Sequence, residues 1–260
     1  MSVLSVFFIS LGAALIFMTA FYLLALYKDD YSIVDAAWGL GFVVISRVSL
    51  GTLEEASTYH FVANLLVLIW GVRLGVYLWS RNRKVGEDYR YQEMRRGWGD
   101  KHRIHAFFKV FMLQGVLMWI ISFPIIMINA QVAPEPLSIN LQYLGLALWL
   151  IGIIFEVGGD WQLTKFKADP SNQGKVMDKG FWRYTRHPNY FGETVLWWGF
   201  FLYTFTSLSN IWIIVGPILI TFLLLKVSGV AMLERKLGKN DKYTEYQRKT
   251  SAFFPLPPKS

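Results

Sequence analysis

Long apolar segments recur along the chain and are separated by stretches rich in charged or turn-forming residues. Seven of them approach the roughly 20 residues that a helix needs to cross the hydrocarbon core of a bilayer. They cover residues 3–27, 33–50, 60–80, 107–130, 139–160, 189–206 and 211–232. The first has no basic stretch before it and is longer than the apolar core of a signal peptide, so we expect a retained helix. The pattern predicts an all-α, polytopic membrane protein with about seven transmembrane helices.

Composition supports this class and removes several others. The 260 residues are 54% hydrophobic and 17% aromatic, which is too apolar for an ordinary soluble domain. The absence of cysteine excludes disulfides, thiolate nucleophiles and cysteine metal sites. The four histidines lack metalloprotease spacing, so we predict no metal site. Without a Gly-x-Gly-x-x-Gly or Walker A sequence there is no soluble nucleotide-binding domain, and we predict one membrane domain over residues 1–260.

The positive charges are placed unevenly along the chain. The net charge is +8, and the basic residues crowd segments 81–109, 165–186 and 226–259, whereas loops 51–59, 131–138 and 207–210 contain none. With seven spans, all three basic segments lie on the same side of the membrane. The positive-inside rule then predicts that the N-terminus lies outside and the C-terminus lies in the cytoplasm. The charge therefore reflects topology mainly, although it also suits an anionic ligand from the cytoplasm, and we expect no nucleic-acid partner.

The first basic loop has an unusual composition for a connecting segment. Residues 81–100 mix charges of both signs with aromatic side chains and include Tyr91 and Trp98. A flexible linker is not expected to have that mixture. The loop is predicted to form an ordered lid or an amphipathic helix at the membrane interface.

Several ionisable residues interrupt the apolar segments. Asp35 lies near the start of the second, where it could either stabilise the helix dipole or take part in ligand binding or proton transfer. Arg73, between two glycines, is expected to neutralise a buried acid in a closely packed helix. Glu156 and Asp160 are four residues apart and share a helix face. We expect these two carboxylates to contact hydroxyl or amide groups of a ligand.

The run from Arg186 to Glu193 is the strongest candidate for chemistry. Pro188 suits the first turn of a helix, because proline has no N–H and a fixed φ. The unpaired N–H groups of a helix N-terminus can receive a phosphate or a carboxylate. Asn189 and Glu193 are also four residues apart, and an amide beside a carboxylate can recognise a carboxamide.

Residues 181–193 read Phe-Trp-Arg-Tyr-Thr-Arg-His-Pro-Asn-Tyr-Phe-Gly-Glu. This segment resembles the signature of bacterial membrane proteins related to the steroid 5α-reductase C-terminal domain, the DUF1295-like group. Further matches are Asp160-Trp161-Gln162, Asp35-x-x-Trp38-Gly39, and the segment from Tyr243 to Pro255 with its Tyr-x-x-Tyr spacing. The resemblance covers nearly the whole chain. It is strongest over residues 150–258, and the part that bears the signature is about 139–258.

The resemblance implies a seven-helix fold that binds NADPH from the cytoplasmic side. The reaction it implies is reduction of a carbon–carbon double bond conjugated to a carbonyl in a lipophilic, steroid-like or enoyl-lipid substrate. It also implies an integral protein of the bacterial inner membrane, in contact with membrane lipid and without an obligate protein partner. The cofactor-binding positions implied by the motif are Asp160, Asn189, Glu193 and Lys167, which replaces a family arginine, with Arg83, Arg186, His187, Tyr190, Tyr243 and Tyr246 beside the phosphates, ribose or nicotinamide.

The chain departs from the steroid enzymes at the positions that polarise the substrate carbonyl. Gly41-Phe42 aligns with a family Gln-Glu pair, and Trp70 aligns with a family tyrosine. We therefore predict that Asp35 or Tyr91 supplies the catalytic acid.

Two other functions stay open. Isoprenylcysteine carboxyl and phospholipid methyltransferases share an Arg-His-Pro-x-Tyr-x-Gly element and bind S-adenosylmethionine. They carry adjacent glutamates ahead of the final tyrosine segment, where this chain has Glu234 alone. The other alternative is a lipid-binding scaffold without catalysis, which does not explain so many polar groups at helix ends.

Overall fold

The computed structural model describes residues 1–83, 86–132 and 136–259, and within these ranges the chain is helical and has no β-strand. The all-α prediction is confirmed. The α-helices are α1 Val3–Lys28, α2 Ile33–Leu50, α3 Thr58–Asn82, α4 Tyr89–Trp98, α5 His102–Ala106, α6 Leu113–Ile121, α7 Phe123–Asn129, α8 Ile139–Ala168, α9 Pro188–Thr204, α10 Val215–Phe222, α11 Val230–Leu237 and α12 Asp241–Lys249. Shorter 3₁₀ turns are Gly99–Lys101, Pro170–Asn172, Gly180–Arg183 and Leu208–Ile214, and π-helical turns are Phe107–Met112 and Leu223–Val227.

Six helical stretches in the described ranges are long and apolar enough to cross a membrane, which makes this an integral membrane protein. They are Val3–Lys28, Ile33–Leu50, Thr58–Asn82, Tyr89–Ile121, Ile139–Ala168 and Leu208–Leu237. The predicted segment 189–206 forms α9, which has 17 residues. At 1.5 Å per residue α9 is about 25 Å long, less than the hydrocarbon core of roughly 30 Å. Seven spans and the orientation of the termini stay predictions.

The fourth stretch differs from its predicted bounds. Helical structure begins at Tyr89 rather than at residue 107, since α4 is polar and was not part of an apolar run. The α-helix is interrupted near residue 122 because of Pro124, whose ring clashes with the preceding helical turn and which has no N–H to donate. The predicted order of the first basic loop is confirmed for α4. Lys84 and Val85 of that loop lie outside the described residues.

The chain divides into two compact units. The first unit is Met1–Pro136 with Thr204–Val215, and the second unit is Leu137–Tyr203 with Gly216–Ser260. The single membrane domain stays a prediction.

A buried polar network joins α2, α3 and α7 in the first unit. Asn64 Nδ2 donates to Asn129 Oδ1 at 2.8 Å, and Asn129 Nδ2 donates to Ser49 Oγ at 2.8 Å. Ser46 Oγ donates to Asn64 Oδ1, and all four residues are at most 1% exposed. Since buried polar groups are costly without partners, this network specifies how the three helices meet.

Close packing of α8 against α9 shapes the second unit. Gly145, Gly152 and Gly159 recur every seven residues on α8, and Gly192 and Gly199 do so on α9. A methyl group on Gly152 would lie 2.6 Å from the Gly192 carbonyl oxygen, and one on Gly199 would lie 2.7 Å from the Gly145 oxygen. The two backbones therefore touch along a seam of glycines. The seam brings the start of α9 against Gly159, beside Asp160.

Candidate functional site

The segment before α9 is held by the C-terminal tail of the second unit. The Arg186 backbone N–H donates to the Ser251 carbonyl at 2.9 Å, and the Leu256 N–H donates to the Tyr184 carbonyl at 2.9 Å. The Thr185 hydroxyl donates to the Phe253 carbonyl at 2.8 Å. These bonds satisfy the backbone of a buried non-helical segment and fix the direction in which α9 begins.

The Glu234 carboxylate on α11 gathers donors from this segment and from α12. Arg186 binds it through two nitrogens, with Nη2 2.6 Å from Oε2 and Nε 3.0 Å from Oε1. His187 Nε2 lies 2.8 Å from Oε1, and the Tyr243 hydroxyl donates to the same oxygen at 2.7 Å. Gln247 Nε2 donates to Oε2 at 2.7 Å. One carboxylate thus joins three of the residues predicted to bind the cofactor.

Burial and pairing both affect the ionisation of this cluster. Burial opposes the charge on Arg186, but its hydrogen bonds to Glu234 and the carboxylate charge outweigh that penalty and raise the pKa of Arg186. Burial, and then the hydrogen bond to Glu234, raise the pKa of Tyr243 well above its ordinary value. Arg186 is therefore charged and Tyr243 is a neutral donor throughout the physiological range.

A second group of polar residues lies where α8 and α9 meet. Glu156, Asp160 and Glu193 are buried, at 2%, 4% and 8% exposed. Asn189 Nδ2 donates to Asp160 Oδ1 at 3.1 Å, which fixes the orientation of the amide because a carboxylate only accepts. The buried Asn189 Oδ1 has no donor within hydrogen-bond distance among the described residues. That oxygen can accept a hydrogen bond from a ligand.

The other predicted residues of the second unit differ in burial and in their partners. The Tyr190 ring stacks on His187 at 5.7 Å between centroids. Tyr246 is buried and donates to the Trp182 carbonyl, and burial raises its pKa. Lys167 is exposed near the end of α8, about 10 Å along the helix from Asp160 at 1.5 Å per residue.

The two predicted catalytic residues lie together in the first unit. The Tyr91 hydroxyl donates to Asp35 Oδ1 at 2.7 Å, and Arg90 Nη2 binds Asp35 Oδ2 at 2.8 Å. Tyr91 is 5% exposed, and the Asp35 side chain is 14% exposed. Both candidate acids therefore belong to one hydrogen-bonded cluster.

Helix α4 carries this cluster and is attached at several points. Asp88 caps α4 by accepting from the Arg90 N–H at 2.9 Å and also binds the Arg90 side chain. Burial opposes the ionisation of Asp88, but the hydrogen bonds from Arg90 outweigh it and lower the Asp88 pKa. Arg95 binds Glu87 at 3.0 Å and Asp29 at 2.5 Å. These pairs hold α4 as an ordered element rather than a free loop.

Two further predictions concern the first unit. Arg83 follows α3, is exposed, and belongs to the first unit, whereas the other predicted cofactor residues belong to the second. Phe42 and Trp70, at the positions aligned with the family polarising groups, are buried and meet edge to face at 5.2 Å. These aromatic side chains carry no group that could protonate a carbonyl.

Sequence reasoning did not select Glu234 or Arg90, although both organise a predicted site. In the sequence, Glu234 stands out only as a single acid where methyltransferases have two. The feature of the sequence that could have identified Glu234 is the amphipathic pattern of α11. A charged residue on the hydrophobic side of such a helix needs polar partners. Within the described ranges, no group of three or more histidine and acidic side chains is placed to hold a metal ion.

Comparison with known proteins finds similarity over short stretches to two proteins named as steroid dehydrogenases and to one uncharacterized protein. The 3-oxo-5-alpha-steroid 4-dehydrogenase 1 of Mus musculus is 36% identical over 58 residues, covering 22% of this chain and 23% of the relative. The protein of the same name from Rattus norvegicus is 36% identical over 58 residues, covering 22% of each. An uncharacterized protein of Schizosaccharomyces pombe is 29% identical over 106 residues, covering 35% of this chain and 38% of the relative.

The matched stretches thus span less than two-fifths of the length of these relatives. No solved structure matches the chain. The family model described as "Protein of unknown function (DUF1295)" matches residues 21–250, which is most of the 260 residues. The chain therefore belongs to the DUF1295 family.

Proposed function

We propose that the protein is a membrane-embedded reductase that uses NADPH to reduce a carbon–carbon double bond conjugated to a carbonyl in a lipophilic substrate. The names of the rodent relatives, which are steroid dehydrogenases, support a reductase of this class. Six apolar helices support a substrate that reaches the protein from the membrane. The basic loops support a nucleotide site on the cytoplasmic side of the membrane.

The observation that carries the proposal is the free buried oxygen of Asn189. Asp160 holds the amide by its NH₂ group, so Asn189 Oδ1 is left as an acceptor at the junction of α8 and α9, where Glu156, Asp160 and Glu193 are also buried. A buried acceptor without a donor favours a ligand that offers one. The ribose hydroxyls and the carboxamide NH₂ of a nicotinamide nucleotide are such donors. In this proposal Asn189, Asp160 and Glu193 hold those groups.

The nicotinamide would supply the hydride when bound, and the protein would orient it and provide a proton. Asp35 and Tyr91 are the groups of the first unit that can hold and move that proton. Tyr91 already donates to Asp35 Oδ1, so a proton can pass between the phenol and the carboxylate along a 2.7 Å hydrogen bond. Arg90 stabilises the negative charge on Asp35 whenever the proton is away.

Nucleotide binding to the protein purified in mild detergent tests the proposal. We expect NADPH to bind more tightly than NADH, because lysine and arginine recognise a 2′-phosphate. Asn189→Ala and Glu193→Gln should each weaken NADPH binding roughly ten- to a hundredfold, as expected for a lost hydrogen bond to a charged group or ligand. Gln173→Ala, which removes an exposed amide of the same unit, is the matched control.

Three outcomes would contradict parts of the proposal. Equal affinity for NADPH and NADH would remove the cofactor preference. Wild-type affinity in both Asn189→Ala and Glu193→Gln would show that the nucleotide lies elsewhere. Binding of S-adenosylmethionine in place of either nucleotide would identify a methyltransferase.

A further inference from the structure

The donors of Arg186 are directed at the protein itself. Its Nε and Nη2 bind Glu234, and its Nη1 donates to the carbonyl oxygens of Gln247, at 3.0 Å, and Thr250. These bonds engage four of the five N–H groups of a guanidinium. The Arg186 side chain is 9% exposed, so little of it is available to a ligand.

The charge of Arg186 is likewise compensated within the protein. The Glu234 carboxylate lies 2.6 Å from Nη2, and a phosphate that approached this guanidinium would meet that negative charge. His187 and Tyr243 direct their donors at the same carboxylate oxygen. Resemblance to the family places all three residues beside the nucleotide, yet their contacts are with Glu234.

We propose that Glu234 is a positioning residue, which holds the segment before α9 through Arg186 and His187 and joins it to α12 through Tyr243. These three residues act through Glu234 rather than as phosphate ligands. The ligand named here rests on the proposed function, whereas the positioning role rests on the contacts alone. Asn189 is two residues after His187, at the start of α9. Fixing His187 therefore fixes where the Asn189 amide meets Asp160.

The substitution Glu234→Gln distinguishes a positioning role of Glu234 from phosphate binding by Arg186, because the two predict opposite changes in NADPH affinity. The glutamine keeps the shape and removes the negative charge. If Arg186 were a phosphate ligand restrained by Glu234, its release would strengthen NADPH binding. A positioning role predicts instead that NADPH and NADH both bind roughly tenfold more weakly, with an unchanged ratio, because the Asn189 site loses its orientation.

Two variants control for the change in charge. Glu245→Gln makes the same substitution in α12, where the carboxylate pairs with Lys249 on the surface, and should leave both affinities unchanged. Glu234→Asp keeps the negative charge, so its affinity for NADPH and NADH should be closer to that of the wild type than to that of Glu234→Gln. Tighter NADPH binding by Glu234→Gln, or a loss confined to NADPH, would overturn the proposal.

A thermal double-mutant cycle without nucleotide tests the same role independently. Glu234→Gln and Arg186→Gln should each lower the melting temperature in detergent by roughly 5–10 °C, as expected for breaking a buried ion pair. The fall in melting temperature of the double variant should be far smaller than the sum of the falls in the two single variants. Additive losses would overturn the positioning role. Absence of nucleotide binding by the wild type would remove the proposed function and leave this cycle to decide.

Discussion

Tyr91 donates its hydroxyl proton to Asp35 Oδ1 at 2.7 Å, while the preceding residue, Arg90, binds Asp35 Oδ2 at 2.8 Å. Two consecutive residues of α4 thus bind the two oxygens of one carboxylate on α2. The arrangement joins a neutral donor and a cation to an acid, which is the composition of a proton-transfer site.

Tyr91→Phe and Asp35→Asn should lower turnover far more than they lower nucleotide affinity. Each removes one partner of the proton-transferring pair, and general acid catalysis contributes roughly 100-fold or more to a rate. Steady-state turnover of an enone substrate, measured alongside NADPH affinity, gives the comparison. Tyr27→Phe is the control, because the Tyr27 side chain is 82% exposed. Unchanged turnover in both variants would exclude the pair from catalysis.

Gly152→Ala should destabilise the second unit, because its added methyl group would lie 2.6 Å from the Gly192 carbonyl oxygen. Overpacking of this kind costs about 1–3 kcal/mol. Gly12→Ala in α1 is the matched control, since its new methyl group would meet nothing within 4 Å apart from the adjoining backbone of its own helix. That control should be neutral or stabilising, because alanine favours helix. Equal melting temperatures for the two variants would argue against the glycine seam.

Asn129→Leu should destabilise the first unit more than the double substitution Asn64→Leu/Asn129→Leu. The single change leaves one N–H of the Asn64 amide without its acceptor and the Ser49 hydroxyl oxygen without its donor, at a cost of about 1–3 kcal/mol, whereas the double change removes both amides. Chemical unfolding in detergent measures the difference. A double variant less stable than Asn129→Leu alone would show that the network contributes through another interaction.

Asp88→Asn should destabilise the protein at neutral pH and have no effect in acid. Asparagine caps a helix as well as aspartate, so the substitution isolates the charge paired with Arg90. The Asp88 pKa is lowered in the folded state, so its stabilisation is present above the unfolded value of about 3.9 and is lost as the pH falls through the folded value.

Thermal unfolding of the wild type and Asp88→Asn between pH 7 and pH 3 gives the test. We expect a difference of about 0.5–1 kcal/mol at pH 6–7, which is the range for a partly exposed ion pair. The two curves should converge as the pH falls below about 4, the ordinary pKa of aspartate. A constant difference across the whole range would assign the effect to the cap and not to the charge.

The helical class and most span positions could be predicted because the length and hydrophobicity of a spanning helix are nearly independent of its neighbours. Helix α4 could not be found in this way, since its residues are mainly polar and its order comes from partners such as Asp29 and Asp35. For the same reason the apolar pattern placed the start of this stretch at residue 107 instead of Tyr89.

The candidate residues were predictable where a polar side chain interrupts an apolar segment, as at Asp35 and Asp160. Their pairings were not, because a sequence does not state which distant residues meet. Arg186 binds a carboxylate 48 residues away, and nothing in the local pattern around Arg186 indicates that distance. Glu234 could not be predicted for a second reason as well. A charged residue on a short amphipathic helix is most often solvated, so its burial beside Arg186 is not expected from the sequence.

The Glu234 cluster also has a consequence for how the protein is made. Arg186 leaves the ribosome 48 residues before Glu234 and 64 residues before Thr250, which accept its hydrogen bonds. Since synthesis proceeds from the N-terminal end, α9 is made while the cation beside it still lacks its counter-charge. A nascent chain that stalls between residues 187 and 234 would therefore carry an arginine without its counter-charge.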